Sequence, residues 1–196
     1  EPSLKVPALI ALVCGLIGAV SALMMTDITV AMLPAEMKGL GWLMVAFSTA
    51  VAFIGGFLAW IIYGFIFHII SMAFKGQGSL NRTLEVTGYG LLPQVFGGII
   101  GSIFSYLLLS GLTVPAMSSA EEIAAFSENL VTVLTTDPLA QVAGIVGVLF
   151  LIWSANIWIF GMKYARNLST RDAALTVGIP VGIYILYTVI TLAGWL

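Results

Sequence analysis

Five apolar stretches dominate this chain: residues 6–25, 42–74, 88–112, 139–162 and 173–196. Each is long enough to cross a hydrocarbon core of about 30 Å, which takes about 20 residues of helix. Water is absent at that depth, so backbone N–H and C=O groups must be paired within the segment itself, and each run should be helical. Composition agrees: 8% of residues are charged and 60% are hydrophobic, against about 25% charged in a soluble domain. Such a surface would aggregate in water and is at home in lipid. The predicted fold class is all-α: a polytopic bundle of five transmembrane helices, forming one membrane domain over residues 1–196.

Start and stop signals frame these runs. Asp137-Pro138 reads as an N-cap followed by proline at the first helical position. Ser169-Thr170-Arg171-Asp172 has the S-x-x-D form of a capping box and opens the fifth span. The second run is too long for one upright crossing, reaching about 50 Å at helical rise. It must tilt, project beyond the bilayer or bend near Gly55-Gly56. Between the third and fourth spans, Ser119-Ala120-Glu121-Glu122 is another capping-box signature. Ile123, Phe126, Leu130 and Leu134 follow on one face. Residues 120–135 are therefore predicted to form an amphipathic helix, lying in the outer interface or packed in solvent on the bundle. The first run follows Lys5 in the manner of a signal peptide but is counted as a span.

Charge sets the orientation. With five spans, the N-terminus shares a side with the second and fourth connections. That side holds Lys5, Lys75, Arg82, Lys163, Arg166 and Arg171, and the other holds only Lys38. The positive-inside rule then places the N-terminus in the cytosol and the C-terminus outside. Asp27, Glu36, Glu121, Glu122, Glu128 and Asp137 fall outside, with Trp42 and Trp195 as anchors at the outer interface. Small-x-x-x-small pairs (Gly18/Ala22, Ala52/Gly56, Gly97/Gly101 and Gly178/Gly182) are expected to pack helices within the bundle rather than to form a dimer face. The single cysteine, Cys14, forms no intrachain disulfide and reads as a buried structural thiol.

The chemistry-bearing residues are few. No Asp, Glu, Lys or Arg lies at mid-membrane depth in the five runs, whereas proton relays and ion pathways usually need them. One histidine excludes a His-based metal cluster, and no H-E-x-x-H or G-x-S-x-G occurs. No catalytic residue, metal or cofactor is expected, and no basic patch with interleaved aromatics points to nucleic acid. His68 and Asn156 each precede a lysine by seven positions, so both sit roughly 10 Å inside the cytosolic boundary. Gln94 and Pro180 lie at a similar level, and Pro180 frees a backbone carbonyl there. Either these four line one polar vestibule open to the cytosol, or the side chains make separate interhelical hydrogen bonds of about 0.6 kcal/mol each. The basic rim likewise has two readings: anionic headgroup binding at roughly 1 kcal/mol per cation, or topology signalling alone.

Two segments carry a family resemblance. Lys75-Gly76-Gln77-Gly78-Ser79-Leu80, followed by Thr87-Gly88-Tyr89-Gly90-Leu91-Leu92-Pro93, resembles the K-G-x-G-S-F…Y-x-x-x-P pattern of the Yip domain family, the Rab/Ypt-interacting membrane proteins. Trp153, Gly161, Tyr164-Ala165-Arg166-Asn167-Leu168-Ser169, Ala173 or Ala174, and Pro180 are similar to the family's W…G…h-x-L-S…A…P stretch. The resemblance implies a non-enzymatic protein. Eukaryotic members occupy endoplasmic reticulum and Golgi membranes and bind prenylated Rab GTPases and partner Yip proteins. That binding depends partly on a hydrophilic N-terminal tail. About five residues precede the first span here, so GTPase binding is not expected to carry over. The chain looks most like a short prokaryotic member, which would place it in the plasma membrane. In these motifs Gly76 and Gly78 permit a tight turn, Ser79 can cap the next helix, and Tyr89 and Pro93 start the third span at the interface.

The expected function is a non-enzymatic membrane scaffold or adaptor. It would present Lys75, Arg82, Glu85, Lys163, Arg166 and Arg171 to membrane lipids, to another membrane protein or to a second copy of itself. The competing function is a small-solute transporter, channel or lipid-handling protein built on the vestibule.

Overall fold

The computed structural model describes residues 2–33, 35–115, 117 and 119–193. The chain order is α1 (Lys5–Ala31), a 3-10 turn (Ala35–Leu40), α2 (Gly41–Ala73), α3 (Leu80–Tyr89), α4 (Leu92–Ser110), α5 (Ala120–Thr136), α6 (Pro138–Ala165) and α7 (Thr170–Leu192). Among the described residues there is no strand, and five helices are long and apolar enough to cross a membrane: α1, α2, α4, α6 and α7. Trp195 and the end of the fifth apolar run (194–196) lie outside the described residues, as do the side chains of Asp27 and Glu36.

The third apolar run differs from the single span expected over 88–112. It is split at Gly90-Leu91 into the C-terminal end of α3 and the span α4. Pro93 explains the split, because it has no N–H to give and its ring clashes with a preceding helical turn. It is accommodated in the first turn of α4, where N–H groups have no intrahelical partner anyway. By contrast, α2 continues as helix through Gly55-Gly56 for all 33 residues. Elsewhere local signals act as their chemistry dictates. Asp137 accepts from Leu139 N–H at 2.7 Å. Ser119 and Glu122 form a reciprocal capping box at the start of α5.

Helix–helix association in lipid lacks a hydrophobic drive and relies on close packing of small residues and on hydrogen bonds. Antiparallel α1 and α2 show this: a Cβ on Gly15 would lie 2.5 Å from the Phe53 carbonyl oxygen, and one on Gly56 would lie 2.6 Å from Gly15. Gly97 of α4 abuts Phe150 of α6, and Gly144 of α6 abuts Leu192 of α7. Ser21 and Ser102 share a hydrogen bond of 2.8 Å between α1 and α4. Gly178 and Gly182 are different. Both are exposed on α7, and a Cβ at either would meet nothing within 4 Å. The tightest core gathers at one end, where Phe67, Trp158, Met162 and Val177 have no exposed surface and the Phe67 and Trp158 rings meet edge-on at 5.3 Å.

Candidate functional site: the basic end of the bundle

Two turns meet at that end. After α2 the chain reverses through Lys75 at φ +58°, and after α6 it reverses through Asn167 at φ +53°. The turns are tied by backbone through Gln77 N–H, which donates to the Arg166 carbonyl, while Gly76 N–H closes its own turn on the Ser71 carbonyl, each at 2.8 Å. The Arg166 side chain then closes the junction. Its Nε donates to Ser71 Oγ at 2.9 Å, its Nη2 to the Gly76 carbonyl at 2.9 Å, and its Nη1 to the Gly78 carbonyl. A planar fork of five N–H donors suits three acceptors spread along a turn, as a lysine ammonium does not. Gly78 sits at φ +111°, and a Cβ there would lie 2.6 Å from the Ala165 carbonyl oxygen. Both facts favour glycine at this position.

Arg166, read from the sequence as a contact for lipid or protein, is therefore 2% exposed and fully engaged inside the junction. Burial lowers its pKa from the usual arginine value, but that value is high enough that the group stays charged. Its hydrogen-bond partners are dipoles rather than a carboxylate.

The same junction seats α3 against the spans. Ser79 is its N-cap, accepting from Arg82 N–H at 3.3 Å. Trp60 of α2 donates its indole N–H to the Leu84 carbonyl, and Trp158 of α6 donates to the Thr87 carbonyl, both at 2.8 Å. Thr87 lies in the last turn, where carbonyls lack intrahelical partners, so the second indole fills a real vacancy. Thr83 and Thr87 are fully buried, and Thr83 Oγ1 meets His68 Nδ1 at 3.1 Å. Gly88 and Gly90 bring the backbone against Pro7, Trp60 and Trp158. Sequence reasoning missed Ser71, Thr83, Thr87, Trp60 and Trp158. The available signal was a pair of glycines two residues apart in an otherwise bulky run.

The remaining candidates divide. Lys75 and Arg171 are exposed. Arg82 is half-exposed and pairs with Glu85 at 2.7 Å, and Glu85 also accepts from Ser3 N–H at 3.2 Å. Lys163 is partly buried, with its Nζ 5.5 Å from the Tyr164 ring centroid. Leu168 is buried at the junction. Ser169 caps α7, accepting from Asp172 N–H at 3.1 Å and donating to its carboxylate at 2.7 Å. Tyr89 is exposed and Pro93 buried at the break between α3 and α4. So Gly76, Gly78, Ser79, Arg166, Leu168 and Ser169 belong to one construction, with Tyr89 and Pro93 at the other end of α3.

The four residues of the supposed vestibule are not brought together. His68 turns to Thr83 of α3, Gln94 donates to Ser154 Oγ at 3.0 Å, and Asn156 is exposed. Gln94 lines two cavities between the spans, and neither includes His68, Asn156 or Pro180. Among the described residues no group of three His, Cys, Asp or Glu side chains is placed to hold a metal.

Comparison with known proteins places this architecture. The Yip1 domain family model matches residues 1–192. A protein of Methanocaldococcus jannaschii described as uncharacterized is 39% identical over 112 residues, covering 55% of this chain and 77% of the relative. No solved structure matches. With a family model spanning nearly all of the chain, and five apolar helices that make it a multi-pass integral membrane protein, the chain belongs to the Yip1 domain family.

Proposed function

We propose that this protein is a non-enzymatic scaffold or adaptor whose basic end faces the cytosol and receives anionic lipid headgroups or a partner membrane protein. The observation that carries the reading is the contrast between the two kinds of cation at that end. Arg166 is consumed in fixing the turns, and that leaves Lys75 and Arg171 exposed on a backbone that cannot easily move. Among the described residues the one ion pair is Arg82–Glu85, so Lys75 and Arg171 carry uncompensated charge. Anionic surfaces attract each such cation by about 1 kcal/mol. The orientation rests on the same asymmetry, six Lys or Arg at this end against Lys38 at the other.

The test is removal of both charges, Lys75→Gln with Arg171→Gln. Losing two cations at about 1 kcal/mol each predicts about a 30-fold weaker recovery on phosphatidylglycerol vesicles, with most of the difference removed by high salt. Phosphatidylcholine vesicles should show no difference. Unchanged recovery of both anionic vesicles and co-purifying membrane proteins would remove the basis for this reading.

A further inference from the structure

Beyond the junction the five spans do not close on one another. A cavity of about 360 Å³ lies between α2, α6 and α7 and reaches α1 at Cys14 and α4 at Gln94. A second, of about 400 Å³, lies mainly between α1 and α4, with Cys14 and Gln94 again in its wall. Both volumes fall within the range of small-molecule sites, about 300–1,000 Å³.

Three observations restrict the occupant. First, no charged residue lines either space, so a phosphate or carboxylate would find no counter-charge. Second, Gln94 spends one end of its amide on Ser154, and the other end makes no hydrogen bond to any described residue. Turning the amide over merely exchanges the ends. An unpaired amide group within hydrocarbon costs free energy that a ligand hydroxyl or carbonyl would recover. Third, toward the basic end the cavity of about 360 Å³ is closed by Leu91 and Trp158, both buried. On the flank, however, Gly147 is exposed, and a Cβ there would meet nothing within 4 Å. The open side thus faces lipid.

We propose that this paired cavity binds an uncharged membrane lipid, with a hydroxyl or carbonyl head at Gln94 and its chain along the apolar wall of α6 and α7. The site is independent of the role of the basic end. It is tested with the full chain in phosphatidylglycerol vesicles doped with a diacylglycerol that carries a diazirine on its acyl chain. After irradiation, adducts are mapped by mass spectrometry. They are expected on α6 around Gly147 and Val148 and on α7 around Thr188. Gly147→Leu fills the space and abolishes them. Gly178→Leu adds the same atoms to an exposed, unobstructed position away from the cavity and leaves them unchanged. Gln94→Met keeps the length and lowers labelling about fivefold, the affinity lost with one neutral hydrogen bond.

A second measurement needs no substitution. Cys14 is the chain's single cysteine and lines both spaces. Added diacylglycerol should slow its alkylation by N-ethylmaleimide, and added phosphatidylglycerol should not. Any of three results overturns the proposal: Cys14 reacting equally fast with and without diacylglycerol, adducts at Val148 and Thr188 surviving Gly147→Leu, or a diazirine-bearing phosphatidylglycerol labelling those positions as strongly.

Discussion

Replacing Arg166 by methionine removes the charge and the donors while keeping most of the length. Three hydrogen bonds from a charged donor disappear, those to Ser71, Gly76 and Gly78. At about 1.5–3 kcal/mol each, the gross loss is about 4.5–9 kcal/mol. Two effects offset it. The guanidinium no longer has to be stripped of water, a relief of several kcal/mol, and the freed carbonyls lie at the end of the bundle where water can reach them. The net cost to the junction is about 2–4 kcal/mol. Arg166→Lys keeps the charge but offers one nitrogen to three dispersed acceptors, so about half of that loss is expected. Amide hydrogen exchange reads the effect directly, through the Gln77 N–H that ties the two turns and the Gly76 N–H that closes the first of them. Their protection should fall about 30- to 1,000-fold in Arg166→Met, the equivalent of 2–4 kcal/mol, and less in Arg166→Lys. Arg171→Met, at an exposed position, should leave them alone. If both Arg166 variants exchange like the parent protein at these amides, the arginine is not what closes the junction.

Two further substitutions probe the seating of α3. Gly90→Ala would drive a methyl group into the Trp158 indole, an overpacking cost of about 1–3 kcal/mol. It should lower the midpoint of unfolding in sodium dodecyl sulfate, whereas Gly178→Ala, which meets nothing, should hold or raise it. Trp158→Phe keeps the ring cluster but leaves the buried Thr87 carbonyl without its donor. A loss of about 1–3 kcal/mol is expected on the same scale, with helix content by circular dichroism unchanged.

The spans were legible because hydropathy and helical length are properties of the chain alone, and the caps at Ser119 and Asp137 because their partners lie two or three residues away. The vestibule was not legible, for a physical reason. Spacing from Lys75 and Lys163 gives the depth of His68 and Asn156, but not the direction in which each faces around its helix. In a soluble helix the apolar stripe supplies that direction. In lipid both the core and the outside are apolar, so the stripe vanishes. Asn156 turned out to face outward, while His68 faces α3. Arg166 misled in a related way. A cation just past a span reads as topology or surface charge, and only the fold shows three acceptors arranged around it. The separate helix α3 was hidden because Gly88 to Pro93 joins an apolar run in sequence while breaking it in space.

The junction also dictates an order of events during synthesis. Gly78 and Arg166 lie 88 residues apart in the chain, so the carbonyls after α2 emerge from the ribosome well before the arginine that will hold them. At about 5–20 residues per second the interval is roughly 4–18 s. Through that interval α4 and α5 must be made and α6 inserted, while the turn at Gly76–Gly78 has only water to satisfy it. The first five helices therefore cannot finish their own basic end: its completion waits on the fourth span, and a nascent chain stalled before residue 166 should display an open, protease-sensitive loop where the finished protein has a closed one.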